Sequence, residues 1–154
     1  MKVLKHKFLL VYCHIIMCVT YVIPDFPLSM RIRGWLYSLF MGACGRNFQV
    51  AHGVCLRGIE LIEVGNNCYI GPRTFLMARE RICIDDEAII AMNVVIVDSN
   101  HGKFNRSYRY ARGKTKSIHI GRGSWIAANS VITAGSIVED GCIIPPCTVV
   151  REIK

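Results

Sequence analysis

Residues 118–150 read IHIGRGSWIAANSVITAGSIVEDGCIIPPCTVV, and the period of this stretch decides the fold. From Ile120 every sixth residue is aliphatic: Ile120, Ile126, Ile132, Val138, Ile144 and Val150. Four residues after each of the first five comes a small side chain: Ser124, Ser130, Ser136, Cys142 and Thr148. A helix repeats every 3.6 residues and a strand every two, so a strict six that resets at each corner is neither. It describes a strand-and-turn unit with an inward aliphatic residue, a tight corner and a small inward residue.

The same period runs upstream through Val64, Ile70, Leu76 and Ile82, then after a two-residue slip through Ile84, Ile90 and Ile96. Cys68, Thr74, Ala88 and Val94 fill the small position, with Glu80 and Asn100 as exceptions. Gly65, Gly71 and Gly121 directly follow the aliphatic residue, where a tight corner is needed. Phe48 and Val54 echo the pattern and suggest one earlier, less regular turn. Three units predict an 18-residue triangular coil whose stacked rungs share an aliphatic column. The chain is therefore expected to be an all-β solenoid over 46–154, and residues 1–45 a helical segment that caps one exposed end.

Composition agrees with that division. The chain has 154 residues, of which 52% are apolar and only 19% charged, with 19 basic and 11 acidic residues giving a net charge of +8. One domain fits that length, and such hydrophobicity excludes a disordered chain. Thirteen Gly and five Pro without a three-residue period exclude collagen. Eight cysteines occur without any Cys-x-x-Cys pair or histidine pair at zinc-finger spacing, so they are expected to be structural thiols in a reducing cytoplasm.

At the N-terminus, Lys2, Lys5, His6 and Lys7 precede an apolar run from Phe8 to Ile23 that ends at Pro24. Sixteen residues fall short of the roughly 20 that span a bilayer, and Val22-Ile23-Pro24-Asp25 makes a poor signal cleavage site. Arg31, Arg33, Trp35, Leu36, Leu39 and Phe40 then alternate basic and apolar at helical spacing. Two readings stand side by side: peripheral contact with an anionic membrane interface, or packing against the chain itself or a partner subunit.

The repeat is broken once, at residues 99–117. This segment holds His101 and the cations Lys103, Arg106, Arg109, Arg112, Lys114 and Lys116, with no acidic residue. Insertions in a solenoid emerge as loops on one face, commonly the binding face. The +8 charge does not by itself indicate nucleic-acid binding, because aromatic residues interleave with the cations only at Tyr108 and Tyr110.

Here the chain resembles a known family. Val97-Asp98-Ser99-Asn100-His101-Gly102, followed by Ile118-His119-Ile120-Gly121-Arg122-Gly123-Ser124-Trp125-Ile126, is similar to the hexapeptide-repeat acyltransferases, in which a catalytic histidine sits where a coil gives way to an extended loop. The fold implied is a left-handed parallel β-helix, the handedness coming from the resemblance alone. The likeness is greatest to O-acetyltransferases of sugars and polysaccharides. Ile23-Pro24-Asp25-Phe26-Pro27-Leu28 through Arg31-Ile32-Arg33-Gly34-Trp35 resembles the lead-in of capsule, exopolysaccharide and O-antigen members.

The resemblance implies an acetyl-CoA-dependent transfer to a sugar hydroxyl in surface-polysaccharide biosynthesis, without an acyl-enzyme and without a metal. His101 is then the general base, an imidazole being suited to proton transfer near neutrality. Asp98 or a backbone carbonyl orients the ring. Ala128, Pro146 and Arg151 fall on the family's CoA-binding positions. Arg73 stands where maltose and galactoside acetyltransferases have an acceptor-touching Asn, which points to a different, anionic sugar. Trp125 is either an aromatic wall for the acceptor or exterior packing between subunits. The loop cations are expected to meet CoA phosphates or a charged glycan or lipid-linked acceptor. Family members are homotrimers with active sites between subunits, and the expected location is the cytoplasm, at the inner face of the cell membrane. Relatives usually continue past the position of Lys154 into a Pro- and Gly-containing tail.

Other titratable residues carry less. His119 is expected to be structural, Asp85-Asp86-Glu87 a solvated corner, and His14 and His52 have no supporting context. Competing functions are a non-enzymatic β-helix scaffold and a serine-type or nucleotide-sugar acyltransferase on the same fold. A γ-class carbonic anhydrase is disfavoured, because Arg106 stands where the second histidine of its His-x4-His pair would be.

Overall fold

The computed structural model describes residues 2–152. Two helices, α1 (Lys2–Thr20) and α2 (Pro27–Ser38), precede seventeen short strands. Fifteen of these strands form five successive coils. The first coil is β1 (Ala43–Cys44), β2 (Gln49–Val50) and β3 (Cys55–Arg57), and the second is β4 (Ile62–Val64), β5 (Tyr69–Ile70) and β6 (Phe75–Met77). The third is β7 (Ile82–Ile84), β8 (Ile89–Ile90) and β9 (Val95–Val97). After a two-stranded excursion, β10 (Ser99–Asn100) and β11 (Lys114–Thr115), the fourth coil is β12 (Ile118–Ile120), β13 (Trp125–Ile126) and β14 (Val131–Thr133). The fifth is β15 (Ile137–Val138), β16 (Ile143–Ile144) and β17 (Val149–Val150).

Equivalent strands stack in parallel into three five-stranded sheets: A (β1-β4-β7-β12-β15), B (β2-β5-β8-β13-β16) and C (β3-β6-β9-β14-β17). The predicted β-solenoid is thus present. Its inward aliphatic residues are sealed: Ile70, Leu76, Ile90, Ile96, Ile120, Ile126 and Ile132 are at most 1% exposed. The small column beside them is equally buried at Cys68, Thr74, Ala88, Val94, Ser124, Ser130 and Ser136. Residues with positive φ recur at two corners. Asn47, Asn67, Glu87, Gly123 and Gly141 stack between sheets A and B, and Gly53, Arg73, Asn93, Asn129 and Cys147 between B and C. The corner glycines answer to close approach: a Cβ at Gly65 would lie 2.5 Å from Asp86 N, and at Gly121 2.6 Å from Asp140 N.

Two details of the coil differ from the sequence expectation. The first three coils repeat every 20 residues (Ala43↔Glu63, Glu63↔Cys83), and only the last two repeat every 18 (His119↔Ile137). The extra pair lies at the corner from sheet C to sheet A, where 58–61 and 78–81 intervene but only 134–135 in the fourth coil once Ser136 is set level with Ile118. The slip between Ile82 and Ile84 is this wider corner seen in sequence, because both side chains point inward from β7. Phe48 and Val54 also prove to be out of phase. Val50 and Leu56 pair with Ile70 and Leu76 and hold the aliphatic places, while Phe48 and Val54 sit in the small column of the end coil.

The N-terminal segment does cap this end. The first coil has no strand on its outer side, and α2 lies against β2 with α1 against β3. At Gly34 the contact is backbone to backbone, since a Cβ there would lie 2.0 Å from Phe48 O. Tyr37 Oη donates to Val54 O at 3.2 Å, and Arg33 Nη1 donates to Val50 O at 3.3 Å. These side chains satisfy strand carbonyls that no sixth coil can reach. Pro27 at the first helical position suits the start of α2, and Ser29 Oγ accepts from Phe26 N–H at 3.1 Å.

Arg33 is only 2% exposed and is neutralised by Asp25, whose Oδ1 accepts from Nη1 at 2.6 Å. Arg33 also donates to the carbonyls of Thr20 and Ile23, tying the α1–α2 linker down. The other Asp25 oxygen meets His52 Nδ1 at 2.6 Å. Burial raises the Asp25 pKa, but hydrogen bonds from the His52 ring, the His52 N–H and Arg33 outweigh it and leave the carboxyl below the usual carboxylate range. Among the described residues no helix is long and apolar enough to cross a membrane.

Two stability outcomes follow. Ile90→Ala removes a fully buried rung from the middle coil and should cost about 3 kcal/mol in urea unfolding. Because the folded carboxyl of Asp25 titrates below its unfolded value, its contribution is present above about pH 4 and disappears as pH falls further. Asp25→Asn should therefore lower the midpoint at pH 7 while leaving a shallower acid dependence, as read by thermal melts between pH 3 and 7.

Candidate functional site

The one long insertion leaves from the sheet C to sheet A corner of the third coil, the same corner that carries the extra residues in coils one and two. Asp98 anchors its exit. The residue is 0% exposed, and its carboxylate accepts backbone N–H groups of Arg79 at 2.9 Å, Glu80 at 2.7 Å and Arg81 at 3.0 Å from the coil before. Its own carbonyl accepts Lys116 N–H at 2.9 Å, where the loop returns. One residue thus fixes departure, return and the neighbouring corner. With its oxygens so engaged, the Asp98 carboxylate makes no hydrogen bond to His101 among the described residues, so the ring-orienting role expected for it finds no support in this geometry.

Beyond Asp98 the chain forms a two-stranded antiparallel ribbon, Ser99↔Thr115 and Asn100↔Lys114. Thr115 Oγ1 donates to Glu80 Oε2 at 2.8 Å and ties the ribbon to the solenoid. At its tip, Phe104 and Ser107 exchange backbone hydrogen bonds of 2.9 and 2.8 Å around Asn105 and Arg106. Both central residues have positive φ, 46° and 62°, the mirror-image turn that matches strand twist. Gly102 and Gly113 let the two arms touch: a Cβ at Gly102 would lie 2.2 Å from Arg112 O, and at Gly113 2.8 Å from Asn100 O.

His101 stands at this pinch, exposed, immediately after β10. Beneath it, Asn100 shares a cleft of about 420 Å³ with Thr133, Ala134, Arg151 and Glu152. Arg151 and Glu152 continue into a neighbouring groove of about 530 Å³ beside Ser117 and His119, and Lys116 forms an ion pair with Glu152 on its wall. Two loop cations rest on loop tyrosines, Lys103 5.4 Å from the Tyr108 ring centroid and Arg109 5.5 Å from that of Tyr110. The loop therefore carries a cationic, aromatic surface beside one accessible imidazole.

The other sequence-predicted residues lie elsewhere. Arg73 occupies the positive-φ column between sheets B and C, with Nε donating to Asn93 Oδ1 at 3.2 Å. Ala128 and Pro146 share that corner in the last two coils, where Cys147 N–H donates to Ala128 O at 3.0 Å. Sheet C strands separate this corner from the loop corner, a distance of about 10 Å or more. Trp125 projects from the outer face of sheet B, 46% exposed, beside Ile89 on one coil and Ile143 on the next. A single chain thus brings Arg151 near His101 but not Arg73, Ala128, Pro146 or Trp125.

Some polar groups gain partners the sequence did not suggest. His52 pairs with Asp25, which lies 27 positions earlier, and no local motif signals that contact. His119 Nε2 lies 3.0 Å from Asp85 Oδ2 on the outer face of sheet A. Asp86 accepts Asn66 N–H at 2.6 Å, and Glu87 pairs with Arg122 at 3.3 Å, so this acidic corner is an exposed network holding coils together. Backbone hydrogen bonding from Asn66 keeps the Asp86 carboxyl below the usual carboxylate range. All eight thiols are free, and burial pushes Cys13 up to about 12 and Cys44 up to about 11, which leaves both unreactive at neutral pH.

The repeat and the fold have counterparts among known proteins. The family model for bacterial transferase hexapeptide (six repeats) matches residues 117–152. WbbJ of Escherichia coli (strain K12), a candidate lipopolysaccharide biosynthesis O-acetyl transferase, is 25% identical over 118 residues, 70% of this chain and 60% of that protein. This chain therefore spans somewhat under two thirds of that relative's length. A hexapeptide-repeat acetyltransferase of Vibrio cholerae O1 biovar eltor, solved with acetyl coenzyme A, superposes with a TM-score of 0.75 at 18% identity, over 95% of this chain and 78% of that one. A galactoside acetyltransferase solved with coenzyme A gives 0.70 at 22% identity, over 94% and 79%. A maltose O-acetyltransferase from Clostridium difficile 630 gives 0.69 at 20%, over 98% and 86%. Residues 117–152 thus match the repeat of the bacterial hexapeptide transferases, and the fold is one shared with these three acetyltransferases.

The role of Asp98 can be checked directly. Asp98→Ala strands three corner amides while keeping the main-chain tie to Lys116, and should lower unfolding stability by on the order of 3 kcal/mol in denaturant titration. Asp98→Asn, which keeps an acceptor oxygen, should recover part of that loss.

Proposed function

We propose that this protein is an acetyl-CoA-dependent O-acetyltransferase acting on a sugar hydroxyl in surface-polysaccharide biosynthesis, with His101 as general base. The observation that carries the reading is the placement of one exposed imidazole at the pinched base of the only long insertion among the described residues of a hexapeptide-repeat solenoid. The similarity to WbbJ supports the glycan class of acceptor.

A sugar hydroxyl is a weak nucleophile, so its proton must leave as it attacks the acyl carbonyl. His101 takes that proton. Acetyl-CoA supplies the acetyl group already activated as a thioester. Ala128 and Pro146 offer a small-residue wall along the last coils on which the pantetheine arm would lie. Arg151 and the loop cations supply charge for its phosphates. No cysteine is required for direct transfer.

The separation of the candidate residues supports a homotrimer. His101 and Arg151 occupy one corner of the triangular coil, and Arg73, Ala128 and Pro146 another. A neighbouring β-helix set against the first would bring its second corner to the first chain's loop. Ile89, Trp125 and Ile143 stand exposed in one row on sheet B, with Ile137 67% exposed on sheet A and Val149 49% exposed on sheet C. Such apolar rows mark surfaces that bury against a partner. Arg73 and Trp125 would then face the acceptor from the adjoining subunit. This reading puts the reaction in the cytoplasm, at the inner face of the cell membrane.

The test is free-CoA release from acetyl-CoA across sugars, nucleotide sugars and lipid-linked glycans. His101→Ala should lower acceptor-dependent release by about 10²- to 10⁴-fold with an unchanged circular dichroism spectrum. Retention of transfer within a few-fold of wild type would remove His101 from the mechanism. Absence of acceptor-dependent release, together with no calorimetric binding of acetyl-CoA, would favour a β-helix scaffold.

A further inference from the structure

The two capping helices show an arrangement that neither the solenoid nor the proposed chemistry requires. On α1 the buried residues Leu9, Cys13, Ile16 and Thr20 form the face against the first coil. The opposite face is apolar too: Leu4, Phe8, Val11, Ile15 and Val19 are 54–74% exposed. Their spacing of four, three, four and four residues makes one continuous stripe. Val22, 84% exposed in the turn that follows, extends it. On α2 the pattern recurs, with Leu28, Ile32, Trp35 and Leu39 48–62% exposed opposite the buried Ser29, Arg33 and Tyr37. Phe8 and Tyr12 pack against Phe40 with ring centroids 5.9 and 4.7 Å apart, which clasps the start of α1 to the end of α2. The cap therefore presents two outward apolar stripes, and a helix apolar on both faces needs a second apolar medium besides its own protein.

Charge identifies that medium. Lys5, Lys7, Arg31 and Arg46 are exposed on the cap and first coil. At 100° per residue, Lys5 and Lys7 lie roughly a quarter-turn to either side of the α1 stripe. Residues 1–59 contain one acidic side chain, Asp25, and it is already held by Arg33 and His52. A second copy set cap to cap would oppose these cations to one another. An anionic lipid surface meets both the apolar stripes and the charge.

We propose that the outward stripes of α1 and α2 form a docking surface for an anionic bilayer, with the helices lying in the interface and the capped end of the first coil turned toward the lipid. The arrangement is independent of the acyl-transfer chemistry. It goes beyond the sequence expectation of contact through residues 8–40 by assigning the faces: those turned away from the solenoid, opposite the buried stripes.

Flotation of the purified full chain with vesicles distinguishes the occupants. Binding to phosphatidylcholine:phosphatidylglycerol vesicles should exceed binding to pure phosphatidylcholine by about tenfold or more and weaken at 0.5 M salt. Trp35 fluorescence should be quenched by brominated lipid. Ile15→Glu with Trp35→Glu replaces exposed side chains only, so the melting curve should stay within a few degrees of wild type while flotation is lost. The proposal fails if the wild-type chain does not float with anionic vesicles. It also fails if the double variant floats undiminished, or if light scattering shows the stripes to be covered by a second copy whose removal is the variant's only effect.

Discussion

Everything in this molecule depends on keeping the aliphatic side chains of the stacked strands inward while the coil turns sharply at each corner. Strands of two or three residues cannot hold themselves together, and their stability comes from burial against the coils above and below. Ile90 and Ile96 have neighbours in register on both sides, Ile70 and Ile126 for the first, Leu76 and Ile132 for the second. The corner columns serve that requirement. Positive-φ residues turn the chain within a few positions, and glycines such as Gly65 and Gly121 admit the next coil's backbone at distances no Cβ would tolerate.

The same constraint decides where a functional loop can leave. Corners between sheets A and B and between B and C keep a constant length through all five coils, while the third corner does not. It holds four residues in coils one and two, three in coil four, and the whole insertion in coil three. Asp98 makes that variation tolerable by binding three amides of the corner before it and, through its carbonyl, the returning strand of the loop. His101 is thereby presented from a corner tied to the solenoid, which suits the proposed removal of a proton from a positioned acceptor hydroxyl.

A solenoid has ends, and the first coil shows how one is closed. Helix α2 delivers Arg33 and Tyr37 to strand carbonyls and meets Phe48 at Gly34. Burying a guanidinium is costly unless it is paired, and Asp25 supplies the counter-charge while His52 holds Asp25 from the solenoid side. The linker, the helix and the coil are joined by this one cluster. Apolar side chains on the outer helix faces remain unused by it.

How much of this was legible in sequence follows from the range of each interaction. The six-residue period names the fold because each inward position sees the same environment, so Ile120, Ile126 and Ile132 repeat it in the order of the chain. The break at 99–117 was equally visible, and with it His101. The coil length was not, since Ile82 and Ile84 both face inward and a wider corner mimics a slip of phase. Phe48 and Val54 misled for a related reason: at the end coil the small position faces α2 instead of another coil, and larger residues fill it. Asp98 illustrates what lay beyond reach. As a carboxylate near a histidine it suggested a catalytic partner, yet its hydrogen bonds go to Arg79, Glu80 and Arg81, some twenty residues away and one coil down. The sequence by itself determined the repeat, its single interruption and the histidine there. Only the tertiary structure decided which corner each candidate residue occupies, because a coil places residues about twenty apart in contact and residues six apart on different sheets.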